Sequence, residues 1–291
     1  MQRELIKLKD YSDGQKERIL KLEQLCKAYD GSNLRVGVES LKANGGDEAF
    51  LCLFGNQLIG FISWYTSDGV EANLNGMVHP DFRRQGVFQD LLHYAMLEML
   101  TKGIQTCRFR IPSNSKPGMD FIKHIGANFQ TSEFSMNLNR VLVDTSNRSG
   151  LTLRLAEDRD LEFMITCSSQ AFGDSEIWTR SYLARTNEPE RLSYIALAGQ
   201  TPIGMVRVNY LDSYTAVIHD FCVLPLLQGK GYGREILSHV VQLLQEQKCA
   251  TIRLGVVTEN RRALNLYMSL GFEISAEFHY YVISIQGGLL P

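Results

Sequence analysis

The feature that most constrains this chain is that one pattern is written in it twice. Val78-His79-Pro80 and Val223-Leu224-Pro225 stand 145 residues apart, and the same spacing pairs Gly86 with Gly231 and, much further on, Gly126 with Gly271. Upstream, Gly60 in LIGFIS and Gly204 in PIGMVRV pair at 144, one residue short. Agreement sustained over so long a stretch points to two copies of one domain, each about 145 residues long. The seam is expected at 144–150, DTSNRSG, a polar, turn-rich stretch without apolar periodicity. Domains at 1–143 and 151–291 follow, and a length of 291 residues suits two of them.

Both copies carry the same order of elements. A strand and one or two helices open each, as in LTLRLAEDRDLEFMITCSSQAF at 151–172. Two strands follow, AFLCLFG and QLIGFISWY in the first copy, RLSYIALAG and PIGMVRVNY in the second. A third, TAVIHDFCV in the second copy, runs into the Val-x-Pro segment. Ile236, Leu237, Val240, Val241, Leu243 and Leu244 then recur at helical spacing. A further strand (CRFRIP or TIRLGVV), a short helix and a final strand complete each copy. The expected class is α/β (α+β), a layered domain made twice.

Composition narrows the function. With 44% apolar and 21% charged residues the chain reads as an ordinary globular protein. A net charge of −2 gives no basic field for nucleic acid or an anionic membrane, so any anion site must be local. Six cysteines without a CxxC pair or zinc spacing read as free thiols in a reducing cytoplasm. No signal-like N-terminus and no run of about 20 apolar residues is present, so a cytoplasmic protein without metal is expected.

The chemistry-bearing segment is Gln228-Gly229-Lys230-Gly231-Tyr232-Gly233, between a strand and a helix. Glycines permit positive φ and close approach of a ligand, and successive N–H groups at a helix start form an anion-binding concavity. Lys230 and Arg234 add positive charge. The Walker pattern is absent, and the GxGxG spacing without an acid at 249–258 disfavours a nicotinamide cofactor.

Val223-x-Pro225, then Gln228-x-x-Gly231-x-Gly233, then Asn260-x-x-Ala263-x-x-Leu266-Tyr267-x-x-x-Gly271-Phe272 resembles the signature of the GNAT acetyltransferase family. The likeness covers nearly all of 151–285 and, through the repeat, most of 5–140. It implies two tandem GNAT-like domains, each a mixed, mostly antiparallel sheet flanked by helices. It implies acetyl-CoA as acyl donor, lying where the strand ending at Cys222 and Val223 splays from LGVV at 254–257. Backbone amides from Gly229 through Lys230, Gly231, Tyr232 and Gly233 to Arg234 would hold the pyrophosphate, and the Val223 N–H would polarise the thioester carbonyl. Asn260 and Tyr267 stand two helical turns apart, about 10.5 Å along the axis, and share one face. Asn260 would meet the pantetheine arm or cap the helix, with Ala263 one turn on. Tyr267 would protonate the departing thiolate or act as a core aromatic.

The acceptor would be a primary amine, whose proton needs a base. His219 and Asp220 precede Val223 on alternating faces, so only one is expected to reach the site. Glu259 is a weaker candidate, suited to a helix start. Trp178, Tyr182, Phe278, Tyr280 and Tyr281 could wall the acceptor, the last three from a final hairpin, or could be ordinary core and surface.

The first copy departs from the pattern. Arg83-x-x-Gly86 matches the turn after Val78, with Arg84 adding charge, but Val87 is followed by Phe88 where the family has Gly or Ala. Ser115 falls at the position of Asn260, and Ile122, which cannot protonate a thiolate, at that of Tyr267. Three functions compete. They are an N-acyltransferase on a small-molecule or peptide amine with the second copy catalytic, a non-catalytic acyl-CoA sensor or scaffold, and a tRNA-dependent aminoacyl transferase, which near-neutral charge disfavours. Monomer and homodimer are both open.

Overall fold

The structure is a computed structural model that describes residues 3–38, 41, 48–139 and 150–285. The expected seam lies outside the described residues except for Gly150. The chain forms two compact units, one of Met1–Ser132 with Ala276–Pro291 and one of Glu133–Ser275.

In the first unit, β1 (Arg3–Lys7), α1 (Asp13–Asp30), β2 (Glu48–Phe54), β3 (Gln57–Tyr65) and β4 (Glu71–Val78) lead into α2 (Val87–Thr101), β5 (Thr106–Pro112), α3 (Lys116–Ile125) and the start of β6 (Asn128–Leu138). The second unit repeats the series. It runs β7 (Leu151–Leu155), α4 (Leu161–Phe172), α5 (Glu176–Arg185), β8 (Arg191–Ala198), β9 (Thr201–Tyr210), β10 (Thr215–Val223), α6 (Tyr232–Glu246), β11 (Thr251–Val257), α7 (Arg261–Met268) and the start of β12 (Phe272–Ser284). Within each unit the paired strands are antiparallel except β4–β5 and β10–β11, which are parallel. The mixed, mostly antiparallel class expected from sequence is what the chain adopts.

The apolar periodicity has its counterpart in the core. Ile236, Leu237, Val240, Val241 and Leu244 of α6 are fully buried against Val206, Val208 and Ile218 of the sheet. The opposite face is covered by α4 and α5 through Ile165, Cys167 and Leu183. In the first unit α2 and α3 cover one face and α1 the other. All six cysteines are buried free thiols.

Two features differ from the sequence expectation. The compact units are not cut as the copies are. Glu133–Val257 to Asn137–Arg253 pairing puts the end of β6 in the second unit's sheet, while Phe278–Pro112 to Ser284–Thr106 pairing puts the end of β12 in the first. Each copy therefore gives the end of its last strand to the other copy's sheet. That last segment is also one 13-residue strand and not a hairpin.

The second feature explains the change of spacing from 144 to 145. In the first copy Ile62, Phe61 and Gly60 pair in unbroken register with Gly76, Met77 and Val78. In the second, Arg207 pairs with His219 and Met205 with Cys222, so one extra residue is accommodated as a β-bulge. Asp220, with φ of 47°, takes the left-handed conformation there.

Candidate active site

In both units the parallel pair comes apart at the same level. β10 and β11 pair only from Thr215–Thr251 to Ile218–Leu254, and β4 and β5 only from Glu71–Thr106 to Leu74–Phe109. Beyond those rungs the strands diverge, leaving backbone groups to be satisfied by something other than the sheet. The Leu224 N–H donates to Ile203 O at 3.0 Å, toward β9. Strand alternation therefore turns the Val223 N–H to the other side, into the divergence.

The turn after each V is built alike. Gly229 and Gly231 have φ of 79° and 93°, and their counterparts Arg84 and Gly86 have 60° and 81°. Gly231 and Gly86 are the helix N-caps, so free N–H groups of α6 and α2 open onto the turn. Arg84 holds with an L side chain what Gly229 holds freely, at a cost of about 1–2 kcal/mol.

Side chains of the turn also hold the surrounding elements together. Gln228 Nε2 donates to Val223 O at 3.0 Å, and Arg83 Nε donates to Val78 O at 3.0 Å. These residues brace the strand end. Arg83 is further bound by the Asp30 carboxylate at 2.6 and 2.9 Å. Arg234 donates to Ser269 Oγ and Ser269 O, fastening α6 to the end of α7. Lys230 and Tyr232 lie on the turn, the lysine exposed. Arg262, unremarked in the sequence, brings its guanidinium to 3.3 Å from Gln228 Oε1 and beside Gly229. Its only sequence signal was a place in the first turn of the helix after Asn260.

Phe88 and Gly233 show how the copies diverged. A methyl group added at Gly233 would lie 3.7 Å from Phe221 of β10, in ordinary contact. One added at Gly76 of β4 would lie 2.5 Å from Phe88 of α2. An aromatic ring fills the gap in both units, supplied by the strand in one and by the helix in the other. Phe88 also packs on Phe121 with centroids 4.7 Å apart. Around the first unit's V, a cavity of about 480 Å³ is lined by Val78, Arg83, Arg84, Gly86, Val87 and Phe88 among others.

Asn260 caps α7, its side chain accepting from Ala263 N at 3.1 Å, and Ser115 caps α3 in the same way. This leaves the Asn260 Nδ2 hydrogens as the group available to a ligand. Tyr267 is 8% exposed and packs against Phe272. Burial pushes its phenol up to about 12, so it is protonated at neutral pH, the state a proton donor to a thiolate requires. Ile122, its counterpart, is core.

Around the bulge, Asp220 accepts from the Tyr182 hydroxyl at 3.1 and 3.2 Å and from Arg207 at 3.2 Å. Arg207, 2% exposed, also donates to Thr186 Oγ1 and Thr186 O, each at 2.7 Å. The Tyr182 phenol is driven up by burial and by the Asp220 charge. His219 has its pKa lowered to about 4, chiefly by desolvation, with Asp220 opposing and Arg191 and Arg207 assisting. Trp178 stacks on Tyr182 with centroids 5.1 Å apart. Phe278, Tyr280 and Tyr281 belong to the first compact unit, Trp178 and Tyr182 to the second. Cys222 Sγ lies 3.6 Å from Cys167 Sγ, in the core beneath α4.

A sequence profile described as the acetyltransferase (GNAT) family matches residues 155–272. The [ribosomal protein bS18]-alanine N-acetyltransferase of Escherichia coli is 30% identical over 105 residues, which is 36% of this chain and 70% of that protein. Among solved structures, a GCN5-related N-acetyltransferase from Sphaerobacter thermophilus superposes with a TM-score of 0.73 at 17% identity, covering 98% of this chain and 97% of its own. A tandem GNAT protein from the clavulanic acid biosynthesis pathway also gives a TM-score of 0.73, at 16% identity, covering 98% of this chain and 99% of its own. At such identities these structures speak to fold alone.

Proposed function

We propose that this chain, which belongs to the GNAT family of N-acetyltransferases, moves an acetyl group from acetyl-CoA to a primary amine of a small molecule or peptide at the site of its second copy. The observation that carries the reading is a diverging β10–β11 pair, a positive-φ turn at a helix start and a protonated Tyr267 within one compact unit. The fit to acetyl-CoA is physical. The V offers unpaired backbone to the pantetheine amides. The N-terminus of α6, with Gly229 to Gly233 and Arg262 beside it, offers N–H groups and charge to the pyrophosphate.

Within that site the Val223 N–H polarises the thioester carbonyl and stabilises negative charge on its oxygen. Asn260 Nδ2 holds the pantetheine arm, and Tyr267 protonates the leaving thiolate. Likeness to an enzyme that acetylates a protein's alanine supports a peptide α-amine among the acceptors to be tried first. No helix among the described residues is long and apolar enough to cross a membrane, which is compatible with a cytoplasmic role.

A second reading concerns the first copy and rests on its cavity of about 480 Å³ around Val78, Arg83, Arg84 and Gly86. With Ile122 at the acid's position, that copy binds acyl-CoA without turning it over and serves as sensor or scaffold. The test is mass-spectrometric detection of acetylated product across free-N-terminal peptides and small amines, with calorimetric counting of acetyl-CoA sites. Acetylated product with one or two bound acetyl-CoA supports the reading. Binding without any product favours the sensor, and neither binding nor product rejects both.

A further inference from the structure

The strand exchange brings a carboxylate to the second unit's V from outside the second copy. We infer that Glu133, near the end of the first copy's last strand, receives the acceptor's ammonium group and takes its proton at the second unit's site. This inference rests on the acetyl-transfer reading.

Glu133 pairs with Val257 on β11, and its carboxylate leans back along the strand over Gly255. A methyl group built on Gly255 would stand 2.7 Å from Glu133 Oε1 and 3.0 Å from Cδ. A side chain at 255 would displace the carboxylate from that seat. Gly255 is the first residue past the last β10–β11 rung, Ile218–Leu254, so the carboxylate stands at the level where the strands part. Gly255 is exposed and Glu133 half-buried, so the position is reachable from solvent.

The corresponding place in the first unit is built oppositely. Phe278 pairs with Pro112 as Glu133 pairs with Val257, and Arg110 stands where Gly255 does. The Arg110 guanidinium lies 3.3 Å from the Phe278 ring centre. A cation and an apolar ring thus occupy the position in the unit whose acid is replaced by Ile122. A glycine and a carboxylate occupy it in the unit that has Tyr267. The two differences coincide, as a site for a cationic acceptor requires.

The other bases on this face are less suited. Asp220 lies in the bulge of β10, where it anchors Arg207 and Tyr182 to that strand. His219, with a pKa lowered chiefly by desolvation, is neutral in the folded protein and offers no negative charge to receive an ammonium group. Arg253 of β11, Arg207 of β9 and Arg191 of β8 are cations of the same face, and none of them accepts a proton.

In the step assigned here, one proton of the ammonium passes to the Glu133 carboxylate and on to water. The neutral nitrogen attacks the thioester carbonyl carbon, the C–N bond forms and the C–S bond breaks. The departing thiolate takes the Tyr267 phenolic proton, and the second nitrogen-bound proton, lost as the amide forms, restores the phenol. One proton is released per turnover.

Two variants test this in the full chain, Glu133→Gln and Gly255→Ala, the second crowding the carboxylate off its seat while keeping it ionisable. With acetyl-CoA and the best acceptor of the amine panel, acetyl-CoA affinity is expected to stay within twofold. The kcat/KM for amine is expected to fall about 100-fold or more in Glu133→Gln, and less in Gly255→Ala. Residual Glu133→Gln activity should climb about tenfold per pH unit up to the amine's own pKa, because only free amine from solution can react, whereas wild type levels off lower. A merely structural role would leave that profile unmoved. An active wild type with unchanged rate and profile in Glu133→Gln overturns this inference alone. Absence of amine-dependent turnover in wild type overturns the acetyl-transfer reading and this inference with it.

Discussion

Replacing Arg207 by methionine should unfold the second unit's acceptor side more cheaply than any exposed substitution could. Arg207 is 2% exposed and makes three hydrogen bonds, to Thr186 Oγ1, Thr186 O and Asp220 Oδ2. Through them one guanidinium ties the end of α5 to the bulge of β10. Methionine fills much of the volume and supplies no donor, so Thr186 O loses its partner and Asp220 keeps only the Tyr182 hydroxyl. Breaking one side of a buried ion pair costs about 3–5 kcal/mol. Asp220 retains 18% exposure and one hydrogen-bonding neighbour, which places the expected loss at the lower end, about 3 kcal/mol. At a urea slope of about 2 kcal/mol per molar, the midpoint should fall by about 1.5 M. Urea titration followed by circular dichroism, and by fluorescence of Trp178, which stacks on Tyr182, reads this directly. Arg207→Lys, which keeps the charge but cannot reach all three acceptors, should lie between. A midpoint shift below about 0.3 M for Arg207→Met would mean that the network does not hold the bulge, and the reasoning would fail.

Gly231→Ala should lower stability by about 1–2 kcal/mol and weaken acetyl-CoA binding together, because φ of 93° is refused by an L side chain even though the added methyl meets no atom within 4 Å; equal stability by thermal unfolding would contradict this. Stability should fall as pH drops from 6.5 to about 4, since below 6.5 the unfolded chain protonates His219 while the folded chain, its pKa lowered chiefly by desolvation, does not until about pH 4. In His219→Asn that part of the fall should vanish from urea midpoints measured across the window.

Much of the fold was legible because it rests on local rules. The helical spacing of Ile236 to Leu244, the Val-x-Pro strand ends and the Gly231 cap each fix their own neighbourhood, and each was read correctly from a few residues. Even the bulge left a trace, in the single-residue change of spacing between Gly204 and Val223. The strand exchange left none. The pairing of β6 with β11 and of β12 with β5 is tertiary, and no local pattern encodes it. For that reason Phe278, Tyr280 and Tyr281 of the second copy fall in the first compact unit, and Glu133 of the first copy falls in the second. The motif marks Gln228, Arg83 and Arg234 as parts of a phosphate turn, and three-dimensional contacts add that they brace the strand ends and α7.

Whether the second copy carries the chemistry through Tyr267 is decided by pre-steady-state thiol release from acetyl-CoA in Tyr267→Phe, with acetyl-CoA affinity measured on the same preparation. Affinity should stay within about twofold of wild type while the rate falls about 100-fold or more. An unchanged rate at unchanged affinity would mean that Tyr267 is not the acid.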